Sequence, residues 1–127
     1  LVEDLGIALG LALSEAVGDK RGIARYGFFI APMDEVLMLC AVDFCGRSYL
    51  QLDWNLQQQR IGEFDTLLAR EFFVALANNA KINLHIREMQ GGNAHHVIEA
   101  SMKALAKAMR AALTVDGDEL PSTKGVL

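Results

Sequence analysis

The hydrophobic period of this chain switches repeatedly between two residues and about 3.6, and this switching narrows the fold more than any other feature. Residues 4–17 carry Leu5, Ile7, Leu9, Leu11, Leu13 and Val17 on nearly all sides, which predicts a helix buried over most of its surface and stopped by Gly18. The stretch from about Ile23 to Leu56 reads as β-rich. Val36–Val42 is a nearly continuous apolar run, and Leu50, Leu52, Trp54 and Leu56 alternate with Gln51, Asp53, Asn55 and Gln57. Phe44-Cys45-Gly46-Arg47 fits a turn between those two strands. Thr66–Ala80 returns to helical spacing through Leu67, Leu68, Phe72, Ala75 and Leu76. Ile82, Leu84 and Ile86 then alternate with Asn83, His85 and Arg87 as a further strand. Gly91-Gly92 breaks it, Asn93 offers an N-cap, and a long helix is expected from Ala94 to about Val115, followed by an extended tail.

With 127 residues the chain has the size of one domain with one core. A net charge of −4 argues against general nucleic-acid binding, which calls for a basic surplus. No apolar run approaches the roughly 18 residues of a membrane span. The opening apolar stretch carries Glu3 and Asp4, where a secretory signal would carry positive charge. Cys40 and Cys45 sit too close together for a disulfide framework and read as free thiols in a reducing, cytoplasmic setting. The first residue is Leu, which fits a chain that begins inside a longer product.

A weak internal repeat is visible when Glu3 is laid on Glu99. Ala8 then falls on Ala104, Leu9 on Leu105, Ala12 on Ala108 and Ala16 on Ala112. Alanine-rich helices match by chance, but here the aligned glutamates are the chemically interesting ones.

The strongest chemical signal is His95-His96-Val97-Ile98-Glu99 at the start of a helix. On a helix Glu99 stands roughly 40° from His95 and 60° from His96, while the two histidines point about 100° apart. One ion could take Glu99 with either histidine, but both on one ion would require distortion. The spacing favours two neighbouring centres, for which Mn, Fe, Ni or Zn suit the nitrogen and carboxylate donors. The alternative on residue types alone is two solvated or capping histidines. Lys103, one turn beyond Glu99, suits an anionic substrate, whereas Lys107 and Arg110 read as a solvated face. Ser122-Thr123-Lys124-Gly125 could grip a phosphate, though alone it is a weak signal. Arg25 and Arg47 read by default as surface arginines, Glu71 as an exposed helix carboxylate and His85 as a structural residue on a polar strand face.

Taken in order, several motifs resemble imidazoleglycerol-phosphate dehydratase, a family of histidine biosynthesis. They are VED–GIALG–AL at the start, GDKRGIARYG (18–27), PMDE (32–35), VDFCGR (42–47), EFF (71–73), LHI (84–86), GNAHHVIEA (92–100) and LPSTKGVL (120–127). The resemblance implies an α/β (α+β) fold, a duplicated half-domain in which a four-stranded sheet packs with helices, ribosomal-S5-domain-2-like. Residues 1–18 would be the last helix of the first repeat, and residues 19–127 the second repeat with a substrate-binding tail. The family carries a further His pair and roughly 70 residues upstream of the position matched by Leu1.

The same resemblance implies a di-manganese site. His95, His96 and Glu99 match its second metal motif, Glu3 the glutamate of its first, and Glu71 a ligand position held by His in some members. Arg25, Arg47, Lys103, Ser122 and Lys124 match residues that bind the substrate and its phosphate, and are expected to converge on one phosphate. Glu3 and Glu99 carry the implied catalytic role, with a further acid/base glutamate upstream of Leu1. The implied reaction dehydrates imidazole glycerol phosphate to imidazole acetol phosphate, with the substrate ring bound as an imidazolate by two Mn2+ ions. Family members form 24-subunit shells built from trimers, with sites between subunits. The expected partners are therefore a small phosphate substrate and further copies of the chain, with no nucleic acid and no membrane. Two other classes stand beside this reading, an RNA-binding module of the same half-fold and a catalytically inactive assembly subunit.

Overall fold

Val36–Val42 forms the spine of the molecule. In a computed structural model that describes residues 1–127, it lies within strand β2 (Val36–Asp43) of a four-stranded sheet. Val36, Met38, Cys40 and Val42 are buried on one face of β2, and the residues between them are half-buried on the other. β1 (Tyr26–Met33) pairs antiparallel with β2 through a two-residue turn, where Asp34 takes a left-handed φ of 50°. β3 (Tyr49–Asp53) follows β2 in sequence but does not touch it. The sheet order is β1-β2-β6-β3, with β6 (Asn83–Gln90) antiparallel to β2 and parallel to β3.

A parallel neighbour requires a long crossover. It is made by a small hairpin, β4 (Arg60–Ile61) and β5 (Phe64–Asp65), and by helix α2 (Leu67–Ala80). Helices α2 and α3 (Ala94–Ala112) cover one face of the sheet. Phe73, Leu76, Ala77 and Ala80 from α2 and Val97, Ala100, Ala104, Leu105, Ala108 and Ala112 from α3 complete the core. The small side chains on α3 let it lie close to β1, where a side chain at Gly27 would strike the Ala108 carbonyl.

Within these 127 residues only Gly6 and Gly10 of helix α1 (Val2–Val17) are buried, and Leu5, Leu9 and Leu11 stay exposed, so the rest of the apolar surface that the sequence predicts to be covered has no cover inside this chain. The helix packs chiefly on α2, through those two glycines. A Cβ at Gly6 would stand 2.7 Å from the Phe72 carbonyl, and one at Gly10 would stand 2.7 Å from Asn79 Cβ. Other differences are smaller. β3 stops at Asp53, because Trp54 leaves the ladder to pack edge-on against Phe73, 5.7 Å between ring centres. α3 stops at Ala112, and Val115 instead forms a bridge with Ile23. No helix is long and apolar enough to cross a membrane. Both cysteines are free and buried, and burial pushes the Cys40 thiol up to about 12.

Candidate metal and substrate site

The first N–H groups of a helix have no partners within it. At α3 the Asn93 side chain accepts from the N–H groups of His95 (2.9 Å) and His96 (3.3 Å), and Gln58 Oε1 accepts from Ala94 N–H (3.0 Å). This capping holds the His-His backbone in one conformation. His95 Nε2 then lies 2.9 Å from Glu99 Oε2, one turn along the helix. His96 turns the other way, its Nδ1 2.5 Å from Glu35 Oε1 and its Nε2 3.8 Å from Asp34 Oδ2. The two rings are 6.2 Å apart with their planes at 78°, and they face different partners, Glu99 and Glu35. A depression of about 540 Å3 is lined by both histidines, Glu99, Asn93, Asp34 and Gln58, among others.

Charge is arranged around these donors. Lys103 Nζ stands 3.2 Å from Glu99 Oε1, and Lys103 first, then His95, holds the Glu99 carboxyl below the usual carboxylate range. His96 holds Glu35 below that range, and Glu35 holds the His96 imidazole above its usual value.

The remaining site residues fall into two further groups. Glu3 and Glu71, distant in sequence, line one cleft of about 350 Å3 between α1 and α2, together with Arg70 and Asn78. Arg25 sits beyond the C-terminal end of α3, where its N–H donates to the Ala112 carbonyl (2.9 Å). Its guanidinium holds Asp43 (Nε to Oδ1, 2.7 Å) and the Pro121 carbonyl (Nη1, 3.0 Å), beside the tail that carries Ser122 and Lys124. Arg47 belongs to this end as well, since its neighbour Gly46 approaches the carboxyl end of Leu127. Lys103 does not. Its backbone lies about 14 Å along α3 from Ala112. The five expected phosphate contacts therefore do not gather within one chain.

Nor do the expected metal ligands. No three His, Cys, Asp or Glu side chains converge closely enough to enclose an ion. Individual pairs nevertheless fit one. Two donors bound at right angles at about 2.1 Å stand about 3.0 Å apart, and His95 Nε2 and Glu99 Oε2 are separated by 2.9 Å. His96 Nε2 presents a second donor, directed elsewhere. Sequence reasoning missed the roles of Glu35, Gln58 and Asp43. All three act through long-range register, and only PMDE and VDFCGR, as motifs, drew notice to two of them.

The family model described as imidazoleglycerol-phosphate dehydratase matches residues 1–109. The chain belongs to the imidazoleglycerol-phosphate dehydratase family. It is 52% identical to the imidazoleglycerol-phosphate dehydratase of Synechococcus elongatus and 51% identical to that of Thermosynechococcus vestitus, each over 98% of this chain and 61% of the relative. Among solved structures it resembles imidazoleglycerol-phosphate dehydratase from Staphylococcus aureus, with a TM-score of 0.87 and 45% identity over 90% of this chain and 67% of the other. The Pyrococcus furiosus structure gives a TM-score of 0.87 at 39% identity, covering all of this chain and 70% of the other. The chain thus spans 61% of the length of the curated imidazoleglycerol-phosphate dehydratases above.

Proposed function

We propose that this chain is the metal- and phosphate-binding part of a hydro-lyase that dehydrates imidazole glycerol phosphate to imidazole acetol phosphate. The observation that carries the reading is the divergence at the start of α3, where His95 pairs with Glu99 while His96 faces away. Two donor sets pointing apart would suit two ions held separately, not one chelated ion. Manganese, when bound, supplies Lewis acidity and a template for the substrate's imidazole ring. His95 with Glu99, and His96 separately, would hold the ions, and Glu3 and Glu71 would contribute from the α1–α2 cleft. Lys103 keeps Glu99 ionised and ready as a donor. Arg25, Arg47, Ser122 and Lys124 take the phosphate.

Since these groups lie at separate places on one chain, we read the working enzyme as an assembly of copies, a 24-subunit shell built from trimers. We place it in the cytoplasm, with residues 1–18 closing one repeat and residues 19–127 forming the next. The test is Mn2+ stoichiometry together with dehydratase turnover in the full-length protein. Glu99→Gln and His96→Ala should each lower bound Mn2+ and reduce turnover by about 100-fold or more. Unchanged stoichiometry and rate in both variants would refute the reading.

A further inference from the structure

We infer that Glu35 is the positioning residue for His96, accepting the Nδ1–H so that Nε2 is presented as the donor atom. This rests on the metal reading above and assigns to the β1–β2 turn a part in building the site.

A neutral imidazole can carry its proton on either nitrogen and can rotate about the bond to Cβ, so a free histidine offers a ligand in several orientations. A fixed acceptor on one nitrogen removes that freedom, and histidines that bind metals usually have such a partner. Glu35 meets the requirement. It lies 61 residues from His96 in sequence, yet its Oε1 is 2.5 Å from His96 Nδ1. Its other oxygen, Oε2, accepts from the N–H of Asn93 at 3.4 Å. Both carboxylate oxygens are therefore engaged at the first turn of α3, where the positive end of the helix dipole favours an anion. His95 has no arrangement of this kind, since its ring contact is through Nε2 to Glu99.

The space that Glu35 occupies is made by Gly92. A Cβ at Gly92 would stand 2.7 Å from Glu35 Cδ and 2.8 Å from its Oε2. Any side chain there would push the carboxylate from its place, while leaving every donor atom on α3 intact. The turn adds its own constraint. Met33 pairs with Val36, so only Asp34 and Glu35 close the hairpin, and Asp34 takes the left-handed conformation that directs the turn over α3.

The experiment is Mn2+ titration of the full-length protein, with the free aquo ion followed by electron paramagnetic resonance, for Glu35→Ala, Glu35→Gln, Gly92→Ala and His96→Ala. Glu35→Ala should weaken one class of Mn2+ site by about 10–100-fold. Glu35→Gln is isosteric and keeps an acceptor oxygen, so it should recover most of that affinity. Gly92→Ala should weaken the same class, although it removes no polar atom. Wild-type affinity in Glu35→Ala, or equal losses in Glu35→Ala and Glu35→Gln, would overturn the inference. His96→Ala separates the two levels. If it keeps its full Mn2+ complement, the metal reading itself fails. If it loses an ion that Glu35→Ala retains at full affinity, only the positioning role fails.

Discussion

Arg25 holds an uncommon backbone conformation and a nearly buried charge at once. Its φ is 77°, and such strain in a residue with a side chain costs about 1–3 kcal/mol. Its guanidinium is only 14% exposed, and Asp43, at 18%, is its ion-pair partner and raises its pKa. Three of its five N–H donors are committed, two to Asp43 and one to Pro121, which leaves two for an anion. Removing the partner in Asp43→Ala should destabilise the fold by about 1.5–3 kcal/mol, read as a lower urea midpoint. Arg25→Gly should be more stable than Arg25→Ala by about 1 kcal/mol, because glycine takes positive φ without the Cβ clash. The Glu35–His96 pair gives a pH signature in metal-free protein. The lowered Glu35 contributes stability above the ordinary carboxylate value of 4.5, lost as pH falls through its folded value. The raised His96 contributes below the ordinary 6.5, lost as pH rises through its folded value. The pair's stabilisation should therefore be greatest between pH 4.5 and 6.5. Melting temperatures of the wild type minus those of Glu35→Gln, taken across pH, should trace that window, and a flat difference would contradict it.

Among the elements, α1 and α3 show what a sequence does and does not disclose. The Asn93 cap and the divergence of His95 from His96 were legible, because both depend on local geometry with known angles. The covered face of α1 was not. The face it lays on α2 is made by Gly6 and Gly10, which leave no mark in a hydrophobic pattern. The β4–β5 hairpin escaped notice because two-residue strands are too short to show a period. The pairings Glu35–His96 and Arg25–Asp43 escaped because they depend on how β1, β2 and α3 are aligned. The close approach of α1 to α2 is itself testable. Gly6→Leu should separate the helices and cost about 1–3 kcal/mol by overpacking, seen as a lower melting temperature. On the metal reading proposed above, it should also draw Glu3 away from Glu71 and lower Mn2+ affinity.

At the scale of the whole molecule, α3 sets the distances. It is 19 residues long, with the histidines in its first turn and Arg25 bound to its last carbonyl. The two ends stand about 27 Å apart. No small substrate can bridge that span, so a chain with this geometry cannot use both ends on one molecule by itself. On the reading proposed above, in which both ends serve one reaction in an assembly of copies, defects in the two ends belong to different active sites. A preparation of His96→Ala and another of Arg25→Ala should each be inactive. Dissociated, mixed in equal amounts and reassembled, they should regain activity, since about a quarter of head-to-tail junctions would join two intact ends. In a cell carrying both alleles the same arithmetic would appear as complementation, two nonfunctional genes supporting growth that neither supports alone. Failure to regain any activity on mixing would mean that each chain must supply both ends of its own site.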